Sequence, residues 1–204
     1  MSAAETFTFH DVKYLRSNHP EIRRIKRRKL GHSAHGNKIW LSSLVLIDYL
    51  SFNPIARNSK ILDIGCGWGI TSIFLARNYA ANVTALDIDS AVEPYLALHC
   101  ELNDTKIDFH CTDFQKLTKI ELRRFSGVVA ADICFWDEQV SPLYQFINLA
   151  LEAGVERVLI ADPGRPPFWA LCDLCLESLN AEVVTRRIYE PVTTEKFILT
   201  IEQP

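Results

Sequence analysis

Three glycines at alternate positions, Gly65, Gly67 and Gly69, follow the apolar run Ile61–Ile64 and precede a stretch with helical spacing. Such a bend lets backbone approach a ligand closely and can aim amide donors at it from a helix N-terminus. Carboxylates surround the bend. Asp63 lies inside the run that leads into it, and Asp87 follows 22 residues after Gly65. Asp113 comes next, with Phe114 beside it, and then Asp132, followed by Phe135 and Trp136. A pyrophosphate-binding turn has the form G-x-G-x-x-G, whose third glycine lets helix and strand close around the phosphates. Here that position is Ile70, and the glycine falls one residue early. A carboxylate at Asp63 also opposes a pyrophosphate and suits a ligand that carries positive charge. Asp87, at the end of its own apolar run, can accept two ribose hydroxyl donors.

Short β-type runs alternating with amphipathic stretches must position these groups. Strands are expected at Lys60–Ile64, Asn82–Asp87, Lys106–His110, Gly127–Asp132, Arg157–Asp162, Ala181–Ile188 and Lys196–Ile201. Helices are expected at Ile39–Leu50, Gly69–Tyr79, Ser90–Asn103, Asp137–Glu152 and Pro167–Leu179. This alternation predicts an α/β fold with a parallel sheet and helices on both faces. The last two strands follow one another without a helix and should form an antiparallel hairpin.

The run Ile61–Ile70 resembles the first motif of class I S-adenosylmethionine (SAM)-dependent methyltransferases, and Asp87 and Asp113-Phe114 stand where that family carries its ribose and adenine ligands. The resemblance implies a Rossmann-like sheet of seven strands, mostly parallel, with an antiparallel C-terminal strand. It also implies SAM as cofactor, whose ammonium and sulfonium account for the acid at Asp63. Cofactor contacts are then expected from Trp40, Asp63, Gly65, Cys66, Gly67, Gly69, Asp87, Asp113, Phe114 and Ala131. Asp132-Ile133-Cys134-Phe135 is similar to the D-x-x-[YF] motif of seven-strand protein lysine methyltransferases, whereas the N-P-P-[YF] motif of DNA-adenine and glutamine enzymes is absent. Lys38-Ile39-Trp40 is similar to their tryptophan-bearing element. Ala161-Asp162-Pro163-Gly164-Arg165-Pro166 resembles a stretch of the branch acting on the electron-transfer flavoprotein β subunit. By this resemblance Asp132 holds the acceptor lysine, with Phe135 and Trp136 lining the channel for its stem and cation. Phe135 departs from the commoner tyrosine, and Cys66 and Trp68 are departures within the glycine bend.

The 204 residues suffice for one domain with a sizeable core, here expected over 37–204 behind an accessory segment, 1–36, that carries a basic helix. Six of the 22 basic residues fall between Arg23 and Lys29, leaving 16 against 25 acids elsewhere. A basic arm on an acidic body suits docking onto an acidic protein face; it lacks the interleaved aromatics of a single-strand nucleic-acid platform. No apolar run approaches the ~18 residues of a membrane span, and scattered cysteines fit a reduced, cytoplasmic compartment. His32-x-x-His35 and Cys172-x-x-Cys175 have zinc half-site spacing. The two cysteines fall on the apolar face of an expected helix, which reads as core rather than metal site. Rival readings are a methyltransferase for a small molecule or RNA, a SAM-binding adaptor without turnover, and, least favoured, a dehydrogenase.

Overall fold

Alternation along the central strands builds two apolar layers from one sheet. In the computed structural model, which describes residues 5–28, 36 and 38–203, Ile61, Val129 and Leu159 pack on one face while Leu62, Val128 and Ile160 pack on the other. Side chains of a strand alternate faces, so a run that is apolar throughout is buried on both.

The chain begins with a hairpin, β1 (Thr6–Phe9) and β2 (Val12–Leu15), then α1 (Pro20–Arg27) and α2 (Leu41–Phe52). There follow β3 (Lys60–Ile64), α3 (Ile70–Tyr79), β4 (Asn82–Asp87), α4 (Glu93–Leu102), β5 (Asp108–Cys111), α5 (Lys119–Leu122) and β6 (Gly127–Ala131). Then come α6 (Val140–Ala153), β7 (Arg157–Asp162), α7 (Pro166–Ser178), β8 (Ala181–Ile188) and β9 (Thr194–Glu202). The seven-stranded sheet has the order β5-β4-β3-β6-β7-β9-β8. Strands β5, β4, β3, β6 and β7 pair parallel, and β9 pairs antiparallel with both β7 and β8. The expected hairpin forms, and the antiparallel C-terminal strand β9 lies one place in from the edge, between β7 and β8. Helices α2 and α3 cover one face, and α6 and α7 the other. Among the described residues no helix is long and apolar enough to cross a membrane.

From β3 the chain winds outward through β4 and β5, then returns to pair β6 on the opposite side of β3. The two halves of the sheet part there, and the connections leaving the C-terminal ends of β3 and β6 diverge. In doubly wound sheets a ligand crevice opens at this point.

Two strand ends differ from expectation for local reasons. The third expected strand is displaced toward Cys111, because its pairing with β4 starts at Thr84 opposite Asp108. β6 stops at Ala131, because Asp132 turns into the left-handed region at φ 54°.

The N-terminal hairpin was not anticipated. Its two-residue turn places both His10 (φ 43°) and Asp11 (φ 63°) at positive φ, the geometry that matches strand twist in tight hairpins. The hairpin lies against α4. Lys13 N donates to Asn103 Oδ1 at 2.8 Å, Asn103 Nδ2 returns a bond to Lys13 O, and Leu15 N donates to His99 Nε2. Burial pushes the His99 imidazole down to about 4, which keeps it neutral and able to accept that bond. Helix α1 buries only Ile22, so Arg23, Arg24, Lys26, Arg27 and Arg28 form a solvated basic face. Lys29, Gly31, His32 and His35 lie outside the described residues. Cys172 and Cys175 are fully buried within the α6–α7 core layer.

Candidate active site

The bend after β3 is pinned to the end of β4. Cys66 N donates to Leu86 O, Gly67 N to Asp87 Oδ2 and Gly69 N to Cys66 O, each at 2.9 Å. These amides are thereby used inside the protein, and what the bend presents beside them is carboxylate. Gly65 and Gly67 have φ of 66° and 53°, and a Cβ at Gly67 would meet nothing within 4 Å. A side chain there would project into the open crevice, so the glycine clears room for a ligand. Gly69 serves packing instead: at φ 73° its Cβ would fall 2.0 Å from Leu96 Cδ1.

Asp63 is the most perturbed acid of this half. It is buried, accepts a 2.5 Å hydrogen bond from Ser72 Oγ, and loss of hydration raises its carboxyl to about 7. Burial also raises Asp87, whose Oδ1 accepts from Asp89 N and Oδ2 from Gly67 N. Each of these oxygens keeps a second lone pair for a hydroxyl donor. Among the described residues no lysine or arginine is paired with either acid.

The crevice divides into two connected parts. A cavity of about 40 Å³ lies between Asp63, Gly67, Thr71 and Trp40. A second of about 210 Å³ is lined by Gly36, Trp40, Gly65, Gly67, Asp87, Ala131, Asp132, Phe135 and Gln139, among others. Trp40 caps the start of α2 and meets the Phe135 ring edge-to-face at 5.4 Å. Gln139 Oε1 accepts from Phe135 N at 2.6 Å and Trp136 N at 3.0 Å, fixing the loop after β6.

Asp132 is 6% exposed and carries the one strained backbone angle in that loop, φ 54°. Strain of this kind persists where surroundings over-determine it. Here Asp132 N donates to Ala161 O of β7, and Oδ1 accepts from Arg165 Nη2 at 2.9 Å. Its other oxygen, Oδ2, is buried with no hydrogen-bond partner among the described residues. A buried carboxylate oxygen left without a donor is costly, so this oxygen has acceptor capacity to spare.

Most of the expected residues converge. Trp40, Asp63, Gly65, Cys66, Gly67, Asp87, Ala131, Asp132 and Phe135 all line one or other part of the crevice. Gly69 sits behind it. Asp113 and Phe114 do not line these cavities: Asp113 accepts from Gln115 N and Nε2, and Phe114 packs edge-to-face on Phe146 of α6 at 5.2 Å. Trp136 is 59% exposed, outside the cavity wall.

Three contributors were given no site role in the sequence reading. Trp68 is buried, stacks on Tyr95 at 4.8 Å and donates to Gly36 O, so it ties the stretch before Trp40 to the glycine bend. Arg165 links Asp162 to Asp132, and its guanidinium carbon lies 4.2 Å from the Phe135 ring centroid. Ser72 holds Asp63 from the first turns of α3. The i, i+9 spacing of Asp63 and Ser72 across a strand–helix turn was the only available signal for the last.

The cofactor expected from sequence fits what the chain offers: a room-making glycine, a buried acid without a cation, and a half-buried acid with acceptor capacity to spare. Residues 61–154 match the family described as methyltransferase domain. The human electron transfer flavoprotein β subunit lysine methyltransferase is 32% identical over 130 residues, 63% of this chain and 49% of that protein. This chain thus spans about half the length of the curated relatives it matches. A SAM-dependent methyltransferase from Agrobacterium tumefaciens superposes with a TM-score of 0.69 at 15% identity, covering 99% of this chain and 71% of the other. The N-methyltransferase NodS of Bradyrhizobium japonicum, solved with S-adenosyl-L-homocysteine, gives 0.57 at 16% identity over 89% of this chain and 97% of that one. Residues 61–154 thus match a methyltransferase domain, and the sheet order and solved structures give the chain the seven-strand fold of class I SAM-dependent methyltransferases.

Proposed function

We propose that this chain methylates the side-chain amine of a lysine on another protein, with the electron-transfer flavoprotein β subunit as the first acceptor to try. One observation carries the reading: Asp132, held by Ala161 and by Arg165 at the wall of the cofactor crevice, has a buried oxygen with no donor among the described residues. An amine N–H is a donor of the required kind. The relatives named for that acceptor add to it.

Bound SAM supplies a methyl group on a positively charged sulfur. Asp63 would hold the cofactor's ammonium, Asp87 would accept from its ribose hydroxyls, and the clear space at Gly67 would admit it. On the other side Asp132 Oδ2 accepts a hydrogen bond from the acceptor amine and so turns the amine's lone pair toward the crevice. A lysine amine has a pKa near ~10.4 and arrives mostly protonated, so a proton must leave to water before attack. Trp40 and Phe135 wall the approach, and Trp136 stands at its outer edge beside the lysine stem. Alignment is the main source of rate, since no covalent intermediate is needed.

The test is transfer of tritium-labelled methyl from SAM to recombinant flavoprotein β subunit, with mass spectrometry of its lysines. Label on lysine supports the proposal. Label confined to RNA or to small molecules in a lysate favours those rival acceptors, and tight SAM binding without S-adenosylhomocysteine release in any extract favours a non-catalytic adaptor.

A further inference from the structure

We infer that Arg165 is the positioning residue of the acceptor site: its guanidinium fixes the Asp132 carboxylate by one oxygen so that the other is left for the incoming amine. The inference rests on the acceptor role proposed for Asp132.

The geometry is a chain of fixed points. Asp162, at the end of β7, is fully buried, and its Oδ1 accepts from both Gly164 N and Arg165 N at 2.9 Å. Those two backbone bonds close the turn that starts α7. Asp162 Oδ2 takes Arg165 Nη1 at 2.6 Å, and the second guanidinium nitrogen, Nη2, reaches Asp132 Oδ1 at 2.9 Å. The planar fork thus transfers the position of β7 to a carboxylate at the end of β6. A lysine, with one point charge, cannot hold two carboxylates in this way.

Aromatic rings hold the fork in plane. Its carbon lies 4.2 Å from the Phe135 centroid and 5.7 Å from that of Trp40. One face of Phe135 is therefore occupied by the chain's own cation. The arginine side chain is 20% exposed and the Asp132 side chain 3%, so the ion pair is largely removed from solvent. Breaking a buried pair from one side leaves an uncompensated charge and frees its partner to turn.

The test uses R165A and R165K in the full chain. Folding should survive in R165A, because the Asp162 Oδ1 bonds that close the turn come from backbone amides. Expected for R165A is a fall of about 100-fold in kcat on flavoprotein β subunit, with acceptor KM and SAM Kd within about threefold. Guanidinium chloride at ~50 mM, far below the molar range that unfolds proteins, should restore about tenfold of the lost rate. R165K should lie between the two. A crystal structure of R165A should show the Asp132 carboxylate turned from its wild-type position.

Wild-type-like turnover in R165A, or a loss that guanidinium does not rescue and that matches the fall in melting temperature and SAM affinity, overturns the assignment. Should the wild-type protein leave the flavoprotein subunit unlabelled, the acceptor proposal falls. The crystal structure then decides Arg165 alone: an unmoved Asp132 overturns its role and a displaced one supports it.

Discussion

The two halves of the crevice treat their acids in opposite ways. On the β3–β4 side, Asp63 and Asp87 are held by a serine hydroxyl and backbone amides, and among the described residues no lysine or arginine pairs with either, although Lys38 lines the same cavity as Asp63. On the β6–β7 side, Asp132 and Asp162 share Arg165. Burial raises carboxyl pKa in both places, but only the second half supplies its own counter-charge. An acid without a partner is poised to bind a cation, whereas an acid with one is held in shape. In the proposed function the first half receives a charged ligand and the second offers a rigid acceptor of a hydrogen bond.

The sharpest way to break this comparison is D132N. Turnover on the flavoprotein subunit should fall by about a thousandfold while SAM affinity stays within about twofold, because the loss is confined to the acceptor half. Retained turnover removes Asp132 from the acceptor site. Next in size is D87A. Losing charge-assisted hydrogen bonds worth ~1.5–3 kcal/mol should weaken SAM about 10- to 100-fold. Wild-type affinity by calorimetry rejects the ribose contact.

A third prediction follows from Asp63, whose carboxyl titrates at about 7 in the free protein. A bound ammonium favours the ionised form, so binding below that pH expels a proton. SAM affinity should rise by up to about tenfold per pH unit from 5.5 toward 7 and then level off. Calorimetry in buffers of differing ionisation enthalpy should register the released proton near pH 6. In the free protein the sign is reversed. A raised carboxyl pKa favours folding below its unfolded value of 3.8, and that contribution is lost as pH climbs through about 7. Binding with no proton release sinks the receptor reading of the first half. The smallest effect is expected for D113A, within about threefold in SAM affinity, since Asp113 already accepts from Gln115 and does not line the crevice. A loss as large as that of D87A restores its adenine role.

Much of this division was readable in the residues themselves, because it depends on local chain geometry. Three glycines at alternate positions can only be a bend, and an acid that ends a buried strand must project beside it. The hairpin at Thr6–Leu15 was missed although Thr6–Phe9 alternates, because Val12–Leu15 does not and His10-Asp11 lacks the glycine that usually marks such a turn. Phe114 was assigned to the base on position alone. Its ring follows Phe146, which lies on a helix some thirty residues later. The fully buried faces of β6 and β7 also gave no sign of which strand the reversed β9 would join.

The sequence by itself therefore determined the α/β class, the glycine bend, and the acids at the ends of β3, β4 and β6. Each is a consequence of neighbours within a few residues. Tertiary structure alone decided that Asp132 turns to a left-handed angle against Ala161, that Arg165 spans two strand ends, and that Trp68 anchors the approach to Trp40. Those choices depend on groups brought together from separate strands, and a counter-charge acts through distance in space rather than along the chain.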